Sequence, residues 1–255
     1  MKIKYTFIYI MATAALLFLQ QCSKEAANVP PSGGSQTGTG GSLARFAIGG
    51  NNLYIATNQS LDVYDITTPN TPTIIKKNTL GFGIETIFPY QQNLFIGAND
   101  GMYIFDNTRP DAPVLLTKYT HVMSCDPVVV QGKYAYVTLR GGSICRFGGG
   151  QSFLDVVDLS DLRNPKLVNS QTLIAPFGLG VDGNKLFVCE GNRGLKIFDI
   201  SDAQKPVLKK TMADIPAYDV IPTQKTLIVT GEKGIFQYRY DNSETFDLLS
   251  KITVE

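Results

Sequence analysis

The sequence has no tryptophan, one histidine and four cysteines. A lone histidine, His121, excludes a multi-histidine zinc centre. Charge of either sign is also missing in excess: 23 Lys and Arg stand against 22 Asp and Glu. So balanced a chain has no basic field to hold a phosphate backbone, so nucleic acid is excluded as a partner. After residue 42 no stretch keeps a helical period. The longest apolar run is "FIYIMATAALLFL" at 7–19, with 13 residues. A membrane-spanning helix needs about 20. The rest is globular in composition, 44% hydrophobic and 18% charged.

What is there instead is a repeat. "LYIA" at 53–56 recurs as "LFIG" at 94–97, "AYVT" at 135–138, "LFVC" at 186–189 and "LIVT" at 227–230. Their last residues, Ala56, Gly97, Thr138, Cys189 and Thr230, are spaced 41, 41, 51 and 41 apart by subtraction. All five are small, as close packing of neighbouring sheets demands. A second segment follows each: "LDVYD" at 61–65, "MYIFD" at 102–106, "LDVVD" at 154–158, "LKIFD" at 195–199 and a degenerate "IFQYR" at 235–239. A turn then ends in Pro72, Pro113, Pro165 and Pro206, with Phe246 in the last copy. The runs are rich in Val, Ile, Leu, Tyr and Phe and alternate with period 2, which is strand chemistry. Gly and Asn in the hinges supply tight hairpin turns. Proline is tolerated where a strand begins.

Each unit therefore offers four short strands in about 40 residues, the signature of a propeller blade. The expected fold is all-β, a five-bladed β-propeller of four-stranded antiparallel blades. Its repeats run at 43–80, 81–121, 122–173, 174–213 and 214–255. The first opens with its own inner strand and the last closes with its own outer one. The ring is thus expected to close by blade-to-blade packing alone, with blades one and five as its weakest seam. The pattern "LYV…GL-IFDIS-P--P" resembles the LVIVD repeat of secreted and lipid-anchored bacterial proteins. That resemblance covers 43–255 and implies a β-propeller, with no general activity attached.

Residues 1–21 read as a signal peptide, with Lys2 and Lys4 before the apolar run. "LFLQQC" at 17–22 resembles a bacterial lipobox, with Leu19 at the third position before Cys22. The resemblance implies cleavage before Cys22 and its lipidation. Gln21 departs from the small residue usual there. By the same analogy Ser23 after the cysteine favours the outer membrane. "SKE" is similar to surface-export signals of Bacteroidota lipoproteins. Residues 22–42 then form a flexible linker dominated by Gly, Ser and Thr.

Local motifs mostly resolve into turns. "GLGVDG" at 178–183 satisfies G-x-G-x-x-G, yet it opens a hairpin, not the helix a dinucleotide needs. "NDG" at 99–101 lacks the carboxylates of a calcium loop. Asp65, Asp106, Asp158 and Asp199 recur at the end of the third strand, before Thr, Ser or Asn. They are expected to cap local backbone N–H groups. No metal or other cofactor is implied. Glu85, Asp126 and Asp219 lie at the entries of first strands and would rim one mouth of the channel. Paired carboxylates there are the arrangement of a glycosidase, the alternative to a non-catalytic binding module.

The third repeat carries an insertion of 11 residues, by the difference between the 41-residue and 52-residue steps on either side of "LRGGSICRFGGGQSF" at 139–153. Insertions in repeat folds collect on one face, often the binding face. Cys189 stands in the small-residue column and is expected to be buried and inert. Cys125 precedes a first strand and Cys145 lies in the insertion. In an up-and-down blade these two places open on the same face, so a Cys125–Cys145 disulfide is expected in an exported chain. It would pin Arg140, Arg146, Phe147 and Phe153 over the mouth, beside His121 and Asp126. These six form the expected ligand contact. The expected ligand is a glycan or an envelope protein, and the expected state a lipid-anchored monomer.

The anchor is directly testable. Cys22→Ala is expected to move the protein from the membrane fraction to the soluble one. Unchanged partitioning of that variant would rule the lipid out.

Overall fold

Period-2 alternation becomes strand throughout. The computed structural model describes residues 40–121, 127–142, 150–223, 225–241 and 245–254. Among these residues twenty strands build five separate four-stranded sheets, each made of consecutive antiparallel strands. Blade 1 holds β1 (Phe46–Gly49), β2 (Asn52–Ala56), β3 (Ser60–Asp65) and β4 (Thr73–Thr79). Blade 2 holds β5 (Ile84–Tyr90), β6 (Asn93–Ala98), β7 (Gly101–Asp106) and β8 (Val114–Thr120). Blade 3 holds β9 (Val128–Gln131), β10 (Tyr134–Leu139), β11 (Ser152–Asp158) and β12 (Lys166–Leu173). Blade 4 holds β13 (Leu179–Asp182), β14 (Lys185–Cys189), β15 (Leu195–Asp199) and β16 (Val207–Met212). Blade 5 holds β17 (Asp219–Thr223), β18 (Thr226–Gly231), β19 (Gly234–Tyr240) and β20 (Phe246–Thr253). The fold is a five-bladed β-propeller, and among the described residues no strand is exchanged between the first and last blades.

Each third strand meets its fourth through a bulge, at Val63/Tyr64, Ile104/Phe105, Val156/Val157, Ile197/Phe198 and Gln237/Tyr238. A bulge bends the strand and raises its twist. Its recurrence at one register position gives every blade the same outward turn.

The middle blades bury both faces of their inner strands, and alternation decides which neighbour each side chain meets. On β6, Leu94 and Ile96 join the core shared with blade 1, while Phe95 joins the core shared with blade 3. On β14, Leu186 and Val188 pack toward blade 3, and Phe187 and Cys189 toward blade 5. Burying each such large side chain contributes about 1.5–3 kcal/mol. Cys189 is fully buried, and burial pushes its thiol well above the ordinary range. It is an inert packing group, as its column predicts. The outer strands are largely exposed, β4 and β20 along almost their whole length.

Four apolar clusters fill the seams 1–2, 2–3, 3–4 and 4–5. Among the described residues none fills the seam between blades 5 and 1. Tyr54 and Ala56 face blade 2, so Leu53 and Ile55 face the other way. Their cross-strand partners Ile48 and Phe46 stay 39% and 60% exposed. On blade 5, Ile235 and its partner Ile252 are 43% and 66% exposed. Packing alone therefore does not close the ring. A polar strap does, formed by the residues just before β1. Ser42 Oγ donates to Asp219 Oδ1 at 3.2 Å, and Leu43 N to Asp219 Oδ2 at 3.4 Å. Leu179 N of blade 4 donates to Ser42 Oγ at 2.7 Å. Ile87 N of blade 2 donates to the Ala44 carbonyl at 2.8 Å.

Blade 5 departs from the repeat where the sequence does. Arg239 replaces the recurrent Asp and pairs with Asp247 at 3.3 Å. Phe246 replaces the recurrent Pro and stacks on Tyr240, with centroids 6.0 Å apart and planes at 17°. A chain ending at residue 213 would expose the blade 4 face that carries Phe187, Leu195 and Ile197. It is expected to aggregate. A soluble fragment with a single cooperative thermal transition would contradict this.

Candidate functional site: the strap end of the propeller

Strand-one entries and the second-to-third turns open on the same end of the blades. There the recurrent aspartates are absent, because they work elsewhere. Asp65, Asp106, Asp158 and Asp199 accept from the backbone N–H of Thr67, Thr108, Ser160 and Ser201 at 2.7, 2.8, 2.8 and 2.9 Å. Hydrogen bonds from the hydroxyl and backbone N–H groups of these same Thr and Ser residues hold all four carboxyl groups below the usual range. They are turn caps, as expected, not a ring of ligands.

The strap end carries a cleft of about 360 Å³ between segments from four blades. Arg45 enters from the strap, Glu85 and Thr86 from β5, Arg140 from the end of β10, and Pro176 and Phe177 from the segment before β13. The Arg140 guanidinium lies over the Phe177 ring, 4.2 Å from its centroid. Burial pulls the Arg140 pKa down and the Glu85 charge pulls it back up. Arg45 Nη2 donates to the Ile84 carbonyl at 3.3 Å. Phe177 is held from several sides. Its N–H donates to the Cys189 carbonyl at 2.8 Å, and its carbonyl accepts from Thr138 Oγ1 at 2.7 Å. Its ring lies 5.1 Å from that of Tyr218 and tight against Gly191, which has φ +56°. A β-carbon at Gly191 would stand 2.8 Å from the ring. Behind this wall Glu190, 1% exposed, pairs with Lys196 at 2.8 Å and accepts from Ile174 N at 2.9 Å. The cleft can therefore offer two guanidinium groups, one carboxylate and one aromatic face.

Of the six expected contacts, Arg140 lines this cleft. Phe153 packs against the core between blades 2 and 3. His121 follows β8, with its ring 6.1 Å from that of Tyr119. It lies close enough to Asp155 to lower that carboxyl, which burial raises more strongly. Asp126, Arg146 and Phe147 lie outside the described residues, as do Cys22, Cys125 and Cys145. Arg45 and Phe177 went unnoticed in the sequence. The one signal for them was position: Phe177 precedes a first strand, as Glu85 and Asp219 begin theirs. Among the described residues no group of three or more His, Cys, Asp or Glu gathers as a metal site would require.

The rim carboxylates have separate roles. Glu85 lines the cleft. Asp219 is spent on the strap, and burial pushes its carboxyl up to about 6 against the hydrogen bonds from Val220, Leu43 and Ser42. An unfolded aspartate titrates near 3.9. The folded protein thus holds this proton more tightly than the unfolded chain does. The stability it contributes is complete below about pH 4 and lost as pH rises through about 6. Asp219→Asn is expected to flatten that part of a thermal-midpoint profile against pH. An unchanged slope between pH 4 and 6.5 would remove Asp219 as its source.

A model of the LVIVD repeat matches residues 40–78, 124–145 and 178–214, so the chain carries LVIVD repeats. No curated protein matches the sequence. Many solved structures are similar to it, three of which follow. A Lactobacillus plantarum protein has TM-score 0.62 at 15% identity, over 80% of this chain and 69% of that one. The periplasmic gluconolactonase PpgL of Pseudomonas aeruginosa has TM-score 0.60 at 14% identity, over 80% and 68%. BamB of Moraxella catarrhalis has TM-score 0.54 at 11% identity, over 82% and 62%. At these identities the likeness is one of fold.

Proposed function

We propose that this protein is a non-catalytic binding module of the bacterial envelope. It is held to the outer membrane by a lipid on Cys22 and grips an anionic group of its ligand in the strap-end cleft. The observation that carries the reading is one cleft lined by two guanidinium groups and one carboxylate, with Arg140 over the Phe177 ring. Arg presents a planar fork of donors that matches a carboxylate, and an aromatic face packs against a sugar ring. An acidic glycan has both features. Arg140, which lines the cleft, belongs to the 139–153 insertion. A Cys125–Cys145 bridge would hold that loop, with Arg146 and Phe147, near the bound ligand. A preorganised loop loses less entropy on binding. The lipobox-like "LFLQQC" supports export and anchoring, and the fold is shared with a periplasmic protein.

Catalysis by paired carboxylates is less well supported. Asp219 is engaged by the strap, which leaves Glu85 as the carboxylate lining the cleft among the described residues.

Titration of the full chain in detergent with oligogalacturonate, sialyllactose and heparin fragments, with product detection, tests the reading. Binding without turnover is expected for at least one of them. Arg140→Ala is expected to weaken it by about 10- to 100-fold, the loss of one charge-assisted contact worth about 1.5–3 kcal/mol. No binding, or normal binding by Arg140→Ala, would overturn it. Product formation that Glu85→Gln abolishes would replace it with the enzymatic reading.

A further inference from the structure

At the opposite end of the blades the inner hairpins turn. The first turn residue is left-handed in blades 1 to 4: Gly50 at φ 58°, Gln91 at 52°, Gly132 at 61° and Gly183 at 56°. Glycine adopts this conformation freely, whereas a side chain there is held at a backbone cost. Blade 2 alone of these four keeps one. The neighbouring hairpins are also tied together at the other filled seams. Gly132 N donates to Tyr90 Oη at 2.7 Å between blades 2 and 3. Gln131 Nε2 donates to the Gly183 carbonyl at 2.5 Å between blades 3 and 4. At the seam between blades 4 and 5 the blade 4 hairpin is held instead from the end of β19, where Tyr240 Oη donates to Asp182. Among the described residues no hydrogen bond joins the 50–51 turn to the 91–92 turn.

A cleft of about 360 Å³ opens in that place. Its size lies within the range of small-molecule sites, about 300–1,000 Å³. Its polar side chains include five carboxamides, Asn51, Asn52, Gln91, Gln92 and Asn107, and among the described residues no charged group lines it. Ile48, Pro89 and Pro110 add apolar surface. Tyr54 Oη donates to the Pro110 carbonyl at 3.0 Å and accepts from Asn107 Nδ2 at 3.1 Å. That leaves Asn107 Oδ1 buried with no hydrogen-bond partner.

We propose that this cleft between blades 1 and 2 binds an uncharged oligosaccharide. Each carboxamide offers a donor and an acceptor side by side. Neighbouring sugar hydroxyls present the complementary pair, and the C–H face of a pyranose meets Ile48 and the prolines. A charged ligand would lose its hydration here and meet no opposite charge. Gln91 keeps a side chain in the cleft where its counterparts in blades 1, 3 and 4 are glycine; the blade 5 hairpin likewise keeps one in the left-handed region, Lys225 at φ 73°. The site is independent of the strap-end cleft: no residue lines both.

The full chain in detergent is titrated calorimetrically with a panel of uncharged oligosaccharides of glucose, xylose, mannose and galactose. Binding of at least one member is expected. Gln91→Gly is expected to weaken it at least tenfold while leaving the thermal midpoint unchanged or raised, since glycine relieves the left-handed turn. Asn52→Ala is expected to weaken it as well. Failure of every uncharged sugar to bind overturns the proposal. So does full affinity in both variants, and so does competition by oligogalacturonate, which would place the sugar at the other cleft.

Discussion

The alternation of side chains across β-strands governs the rest of the structure. A blade in the middle of the ring sends odd positions to one neighbour and even positions to the other. Phe95 and Leu94 are adjacent in sequence and belong to different cores. Each sheet thus has two buried faces, and the blades cohere as a stack whose order is the order of the chain. The stack has two ends, and the same alternation leaves each with an unfilled face. Among the described residues five blades share four apolar cores. Polar groups bridge the remaining seam, where Gly41–Leu43 fold over one half-buried carboxylate, Asp219. The cost of burying that carboxylate appears in its raised pKa.

This division of labour explains where chemistry can sit. Inner and middle strands are committed to packing, so the polar groups that line clefts come from strand entries and turns. Arg45, Glu85, Arg140 and Phe177 gather at one end in this way, and the carboxamides of blades 1 and 2 at the other. Rigid sheets hold both groups. The Phe177 wall is fixed by Thr138 and Cys189, members of the small-residue column. Thr138 is thus small enough to pack and also carries the hydroxyl that sets the wall.

Much of the fold was legible because it is local and repeated. The 41-residue spacing, the proline turns and the Asp before each turn are all written within single units. The four Asp residues make hydrogen bonds two residues away, and short-range chemistry of that kind can be read without a fold. The bulge in each third strand left no sequence signal, because it depends on how the fourth strand pairs. The sequence groups His121 and Phe153 with Arg140 without saying which way Phe153 faces. Phe153 lies on the side of β11 that faces blade 2, and a loop position alone does not tell which side of a strand will be inward.

By itself the sequence determined the blade count, the strand order and the inertness of Cys189. Repeat spacing and period-2 patterning need no information beyond one unit. The tertiary structure alone decided how the ring closes and what meets at its two ends. Ser42 and Asp219 are 177 positions apart, and Tyr54 and Pro110 are 56. Those contacts depend on the angle between stacked sheets. That angle comes from side-chain volumes summed over several blades, which no single repeat encodes.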